Sequence, residues 1–259
     1  STRDRLAVRP RDAMPLDGRW RFKLEQAPLP PTVLTADAPP IPIDYPAEFE
    51  PFFTTDYVEA AGWHDLAVPG NWEIAGHSPA TYNQPDNASG GYRLWFDVPA
   101  SWQGRRVKIN FDGVQNGAEI WCNGKPVPVD EPSWSRPNYH ESGWTAFNAD
   151  ITDAARFGHK NLLALRVTKN TRGIDLDSGD YFLLGGIYRT VMLYSVPTIH
   201  LADVAVRTHL HGASRAEVRV LGRTNAPAAG HRMVVALQGH PPAEAAFTSE
   251  GLCECVIPV

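Results

Sequence analysis

The segment Ala118-Glu119-Ile120-Trp121-Cys122-Asn123-Gly124-Lys125-Pro126-Val127-Pro128-Val129 places two apolar-rich runs on either side of an Asn-Gly pair. Asn-Gly in that setting is a strong local hairpin signal, because a type I′ turn needs φ > 0 at both central residues. The pattern therefore predicts a strand over 118–122, a turn at 123–124 and a return strand over 125–129. Upstream, Arg106 to Phe111 is a strand closed by Asp112-Gly113, and Tyr92 to Val98 is one closed by Pro99. Trp63 to Val68 stops at Pro69-Gly70, and Leu16 to Leu24 alternates apolar and polar residues, as a strand with one buried face does. Downstream, Asn161 to Val167 and Tyr188 to Tyr194 add two more; Thr152 to Phe157 is a helical hint of one short turn. Strands about every ten residues with almost no helix predict an all-β sandwich or barrel.

The texture changes at Pro197. All eight tryptophans lie before it, and the remainder reads as a meander of four strands, Leu201–Thr208, Ala216–Arg223, Met233–Leu237 and Leu252–Ile257. Residues 1–197 are thus expected to form one sandwich and 198–259 part of a second. An immunoglobulin-like sandwich needs about seven strands and ~100 residues, so the second domain should leave apolar faces and strand edges uncovered. The chain is expected to be a fragment, or to be finished by a partner. Residues 28–46 are proline-dense with little periodicity and read as an extended insertion packed on the scaffold.

Composition narrows the function. The 259 residues carry a net charge of −5, with 23 prolines and 21 glycines that keep segments short. No stretch gathers enough Lys and Arg to neutralise a row of phosphates, so nucleic acid is not an expected partner. No apolar run approaches the ~20 residues that span a bilayer, and no membrane partner is expected either. Cys122, Cys253 and Cys255 make neither a disulfide framework nor a zinc site; Cys253 and Cys255 read as alternate positions of a strand. Ser1 in place of a start methionine points to removal of an upstream piece, by a protease or by design, which leaves both a secreted or periplasmic and a cytoplasmic origin open. The run Asp175 to Asp180 fails as a calcium loop, because Gly179 stands at a ligand position, Asp180 at the glycine position and Gly186 where the bidentate Glu belongs. Asn87-Ala88-Ser89 is a glycosylation sequon, meaningful only in a eukaryotic secretory host.

Several of these segments together resemble the N-terminal region of glycoside hydrolase family 2, the β-galactosidase and β-glucuronidase family. They are LDGRWRF (16–22), WHDLAVPGNWEIAGH (63–77), YRLWFDVPASWQGRRVKINFDGVQNGAEIWCNGKPV (92–127), FNADITDAARFGHKNLLALRV (147–167) and GGIYRTVMLYSVPTIHLADVAVRT (185–208). The resemblance implies a jelly-roll of the galactose-binding type followed by a partial immunoglobulin-like β-sandwich. It also implies a TIM barrel elsewhere in the same polypeptide, carrying two catalytic glutamates. Retaining hydrolysis needs two carboxyl groups about 5–5.5 Å apart, and no pair in this chain is nominated for that work. The chain is therefore expected to shape a sugar site without cutting a bond, and to have no cofactor of its own.

The resemblance also implies two polar sugar contacts at the edge of the barrel's active site. One is Asn83, at the matching distance from Pro79 although the tyrosine of that motif is shifted by one place; the other is Asp180, six residues before Gly186 of Gly186-Ile187-Tyr188-Arg189. Here the family's "DxWRxSG" is replaced by Asp180-Tyr181-Phe182-Leu183-Leu184-Gly185-Gly186, whose Tyr-Phe pair is closer to the glucuronidase form. A carboxylate accepts two hydroxyl hydrogen bonds from a pyranose, and an amide both donates and accepts. Taken alone, Asp180 reads as a turn carboxylate capping backbone N–H groups; the resemblance gives it sugar duty and a place beside a bound sodium ion. Sodium or magnesium is accordingly expected in the complete enzyme. Trp134 and Trp144 fall in the polar loop 130–147 and are candidates for exposed sugar platforms, whereas Trp20, Trp63, Trp72, Trp95, Trp102 and Trp121 fall mostly in strand patterns and are expected in the core. His77 and His140 read as loop histidines near the sugar edge.

Three functional readings follow. The first is the non-catalytic N-terminal portion of a β-galactosidase-like enzyme, with a β-galactoside as ligand. The second is a free-standing carbohydrate-binding module, since fold does not fix function. The third is an architectural role in the contacts of a homo-oligomer, motivated by residues 28–46.

Overall fold

The computed structural model describes residues 12–26, 50–82, 88–130, 132, 137–169, 171 and 180–259. The proline-dense insertion, Asn83, Asn87, Trp134 and most of the Asp175 to Asp180 run lie outside them. The chain divides into two compact units, one over Pro10–Ser195 and the other including Val196–Val259.

The first unit contains β1 (Ala13–Pro15), β2 (Gly18–Gln26), β3 (His64–Val68), β4 (Thr81–Tyr82), β5 (Ala88–Asp97), β6 (Arg106–Phe111), β7 (Gly117–Cys122), β8 (Lys125–Pro126), β9 (Tyr139–Glu141), β10 (Phe147–Asp150), β11 (Lys160–Thr168), β12 (Phe182–Leu183) and β13 (Val191–Val196). One sheet runs β1-β13-β6-β10; the other runs β3-β2-β5-β11-β7-β8, with β9 also on β7. Their inner faces share one core, in which Val107, Ile109 and Phe111 of β6 meet Ile120, Leu163 and Leu165 of the larger sheet. β4 and β12 form a separate two-stranded ribbon.

The residue patterns explain these placements. β6 alternates inward Val107, Ile109 and Phe111 with half-buried partners, the mark of a strand with one wet face. β11 is buried along nearly its whole length, because a second cluster of Phe52, Trp63, Trp121 and Ala164 covers the outer face of its sheet. A strand covered on both faces should read as a continuous apolar run, as Leu162-Leu163-Ala164-Leu165 does. The Asn-Gly turn has φ of 51° at Asn123 and 83° at Gly124, and it pairs Cys122 with Lys125.

Several expectations are corrected. The return strand of that hairpin ends at Pro126, and Val129 makes an isolated bridge to Ala149; Pro126 and Pro128 have no N–H to extend the ladder. The helical hint at Thr152 is the single turn expected, in which the Ala154 and Ala155 N–H groups donate to the Ile151 carbonyl and Asp150 Oδ1 accepts from the Thr152 N–H. The last strand starts at Val191 rather than Tyr188, whose hydroxyl instead donates to the Gly143 carbonyl at 2.7 Å. Trp95 is 43% exposed, on the outer side of β5 between inward-facing neighbours, while the other five tryptophans expected in the core are buried. His140 is no loop residue: it is buried in β9 and stacks on Phe147 at 4.0 Å. His77 is half-buried against Phe22.

The second unit has β14 (Leu201–Leu210), β15 (Ala216–Thr224), β16 (Arg232–Val235), β17 (Ala243–Ala246) and β18 (Leu252–Pro258), in sheets β14-β15-β18 and β16-β17. β17 escapes the sequence reading because Ala-Glu-Ala-Ala has little strand propensity. Val220, Met233, Phe247, Cys253 and Cys255 build its core, with the two cysteines at alternate, inward positions of β18. β14 is an edge strand that leaves Leu201, Val204, Val206 and Leu210 exposed.

Candidate functional site

The β4–β12 ribbon brings together chain segments that are a hundred residues apart. Phe182 pairs with Tyr82 and Leu183 with Thr81, so Asp180 lies two residues before one strand and Asn83 directly follows the other. Asp180 is exposed at a bend. Tyr82 and Phe182 meet edge-on at 5.6 Å and are both about half exposed. Trp144, 47% exposed, packs edge-on against Tyr181 at 5.7 Å and Tyr188 at 6.3 Å. Arg189 covers the Tyr188 ring at 4.9 Å. The exposed Asp180 is thus followed by two ring-bearing residues, Tyr181 in contact with Trp144 and Phe182 in contact with Tyr82. Flat rings of this kind can cover the apolar face of a pyranose while a carboxylate takes its hydroxyls.

The floor beneath the ribbon is fixed by hydrogen bonds to both flanks. Trp72 N–H donates to the Gly185 carbonyl at 3.1 Å, Gly70 N–H to Ile187 at 2.8 Å, and Gln115 and Gly186 exchange backbone bonds at 2.9 and 3.1 Å. Gly185 has to be glycine, because a Cβ there would lie 1.9 Å from Trp72 Cζ2. Lys169 Nζ and Glu73 Oε1 form an ion pair at 2.9 Å with both side chains buried. Lys169 also donates to Thr81 Oγ1 at 3.2 Å, and the Gly185 N–H donates to Glu73 Oε2 at 2.9 Å.

Of the residues singled out from sequence, this site holds Asp180, exposed at a bend, and Trp144, which packs on the adjoining Tyr181, while Asn83 and Trp134 lie outside the described residues. Sequence reasoning missed Tyr82, Tyr188, Glu73 and Lys169 as parts of it. The Tyr181-Phe182 pair carried a signal, having been set apart by its departure from the family motif. Nothing in the linear sequence joins Glu73 to Lys169. For the expected sodium ion, Asp180 offers one exposed carboxylate. Among the described residues no three His, Cys, Asp or Glu side chains converge on a metal position.

The family model "Glycosyl hydrolases family 2, sugar binding domain" matches residues 14–197. A β-galactosidase of Psychromonas ingrahamii is 30% identical over 211 residues, covering 75% of this chain and 17% of that protein. A β-galactosidase of Vibrio cholerae is 28% identical over 252 residues, covering 92% of this chain and 21% of that protein. The chain thus spans about a fifth of the length of these curated relatives. Among solved structures, a Lactobacillus rhamnosus β-glucuronidase superposes with a TM-score of 0.66 at 21% identity, over 95% of this chain and 38% of its own. A family 2 glycosyl hydrolase from Bacteroides cellulosilyticus gives 0.63 at 22% identity, over 96% and 31%. At those identities the structures show a shared fold.

Proposed function

Since this chain belongs to glycosyl hydrolase family 2, we propose that its ribbon face is one wall of a sugar site in a longer retaining glycosidase. Asp180 accepts hydrogen bonds from sugar hydroxyls, Asn83 supplies a second polar contact, and Trp144 lends an aromatic flank. Trp134, ten residues upstream in the sequence, is a second platform. The two catalytic carboxyl groups, about 5–5.5 Å apart, come from a barrel domain of the same polypeptide. In this scheme the chain binds and orients the glycone while the barrel breaks the bond. A sodium or magnesium ion held at the domain edge would neutralise charge beside Asp180. The substrate is a β-galactoside, a choice supported by the names of the curated relatives.

The observation that carries this reading is the pairing of Phe182 with Tyr82, which joins the strand just after Asp180 to the Thr81–Tyr82 strand. In the full-length polypeptide, Asp180→Ala should lower kcat/KM for a β-galactoside at least ten-fold, or ~1.4 kcal/mol of transition-state binding. Kinetics unchanged from wild type would remove the assignment.

The exposed aromatic cluster also supports a module that binds glycans unaided. Calorimetry of this chain alone against galactosides and glucuronides separates the two. Millimolar or tighter binding favours the module, and silence favours a site that needs its barrel.

A further inference from the structure

The ribbon is too short to hold itself. Strands of two residues give few ladder bonds, and an isolated two-stranded unit is marginal in water. Yet it carries the residue on which the proposed sugar contact depends, so its height and tilt must be set from below. We propose that the buried Lys169–Glu73 ion pair is the positioning device that sets them, a claim that rests on the reading of Asp180 given above.

The bonds around the pair lead to it. The two side chains are 1% and 0% exposed and 2.9 Å apart. Each member also reaches outward to the ribbon: Lys169 Nζ donates to Thr81 Oγ1 on β4, and Glu73 Oε2 accepts from the Gly185 N–H just past β12. Each is rooted in the sandwich as well. The Lys169 carbonyl accepts from Asn116 Nδ2 at 2.7 Å and its N–H donates to Ala88 at 3.1 Å, immediately beyond β11. Glu73 sits in the 71–76 turn, where the Ala75 N–H donates to Asn71 and the Gly76 N–H to Glu73 itself. Both ribbon strands are thereby tied to one charged pair, and that pair is tied to the main sheet.

An ion pair is a poor choice for stability alone. Taking both charges out of water costs much of what their attraction returns, and apolar residues of similar volume would fill the space as well or better. What the pair adds is direction, because its donors and acceptors hold partners at fixed distances and angles. Its ribbon partners, Thr81 and Gly185, are not assigned to the sugar, and in this proposal Lys169 and Glu73 act through Asp180.

The test uses the double variant Lys169→Met/Glu73→Gln, which removes both charges without leaving either one buried alone. In this chain, amide exchange over residues 180–187 should quicken at least ~10-fold while peptides from β6 stay protected, since only local anchoring is lost. Exchange that is unchanged at 180–187, or that rises equally everywhere, overturns the proposal. In the full-length polypeptide the double variant should lower kcat/KM at least ~10-fold, yet by less than ~2-fold when Asp180→Asn is already present. Fully additive losses would show that the pair does not act through Asp180. Should Asp180→Asn alone prove silent, the sugar-contact reading fails, and the exchange result still decides whether the pair anchors the ribbon.

Discussion

Gly185 shows how a single backbone position can be fixed by a neighbour far away in sequence. The Trp72 ring lies where its Cβ would be, so Gly185→Ala must push either the indole or the loop aside. Overpacking of this kind costs about 2–3 kcal/mol, read as a lower denaturation midpoint with an unchanged m-value. Asn123 is fixed differently. Its φ of 51° suits the turn, while its side chain donates to the Ala154 carbonyl and Asn161 Oδ1 and accepts from the Leu162 N–H. Asn123→Ala should therefore cost about 2–4 kcal/mol in the same assay, more than a turn preference alone, because buried partners lose their bonds. The turn was legible in the Asn-Gly dipeptide. The three side-chain bonds were not, because they depend on β11 returning beside β7.

Among the elements, β10 ends in a carboxylate whose surroundings set its titration. Burial lifts the Asp150 carboxyl, but hydrogen bonds from Thr152 and Arg106 outweigh it and hold the group below the usual carboxylate range. A native carboxyl held down stabilises the fold fully above its ordinary value of ~3.9, and that stabilisation fades as pH falls through the native value. Asp150→Asn should thus be less stable than wild type by about 1–2 kcal/mol at neutral pH, with the gap closing towards pH ~2 in denaturant melts at each pH. Strands with one dry face, such as β6, and the doubly covered β11 were readable from their periods. β17 was hidden by its alanines, and β8 was overdrawn because Pro126 and Pro128 broke a ladder that their apolar neighbours suggested. The ribbon strands β4 and β12 lay below any periodic signal, being two residues each. The site was consequently legible as single residues and not as a surface: Asp180 and Trp144 stood out by motif and setting, while the contact of Trp144 with Tyr181, next to Asp180, is long-range.

At the scale of the whole chain, two β units are strung in sequence, and the first has the larger, drier core. Cys122 lies in that core, and burial pushes its thiol up to about 12. Cys253 and Cys255 line the core of the second unit. All three are free thiols. A thiol-specific disulfide reagent at pH 8 should count three in the unfolded chain, with Cys122 in the folded one slowed at least ~100-fold by its lack of thiolate and of access. The account's central claim concerns the ribbon face of the first unit, and the most direct measurement is kcat/KM of the full-length polypeptide on a β-galactoside for Asp180→Ala, set beside Asp97→Ala. Asp97 is a suitable control, since its carboxylate is 72% exposed at the far end of β5 and its 3.9 Å contact with Lys160 is a weak surface pair. The account predicts a loss of at least ~10-fold for Asp180→Ala and less than ~2-fold for Asp97→Ala. Equal values for the two variants would contradict it.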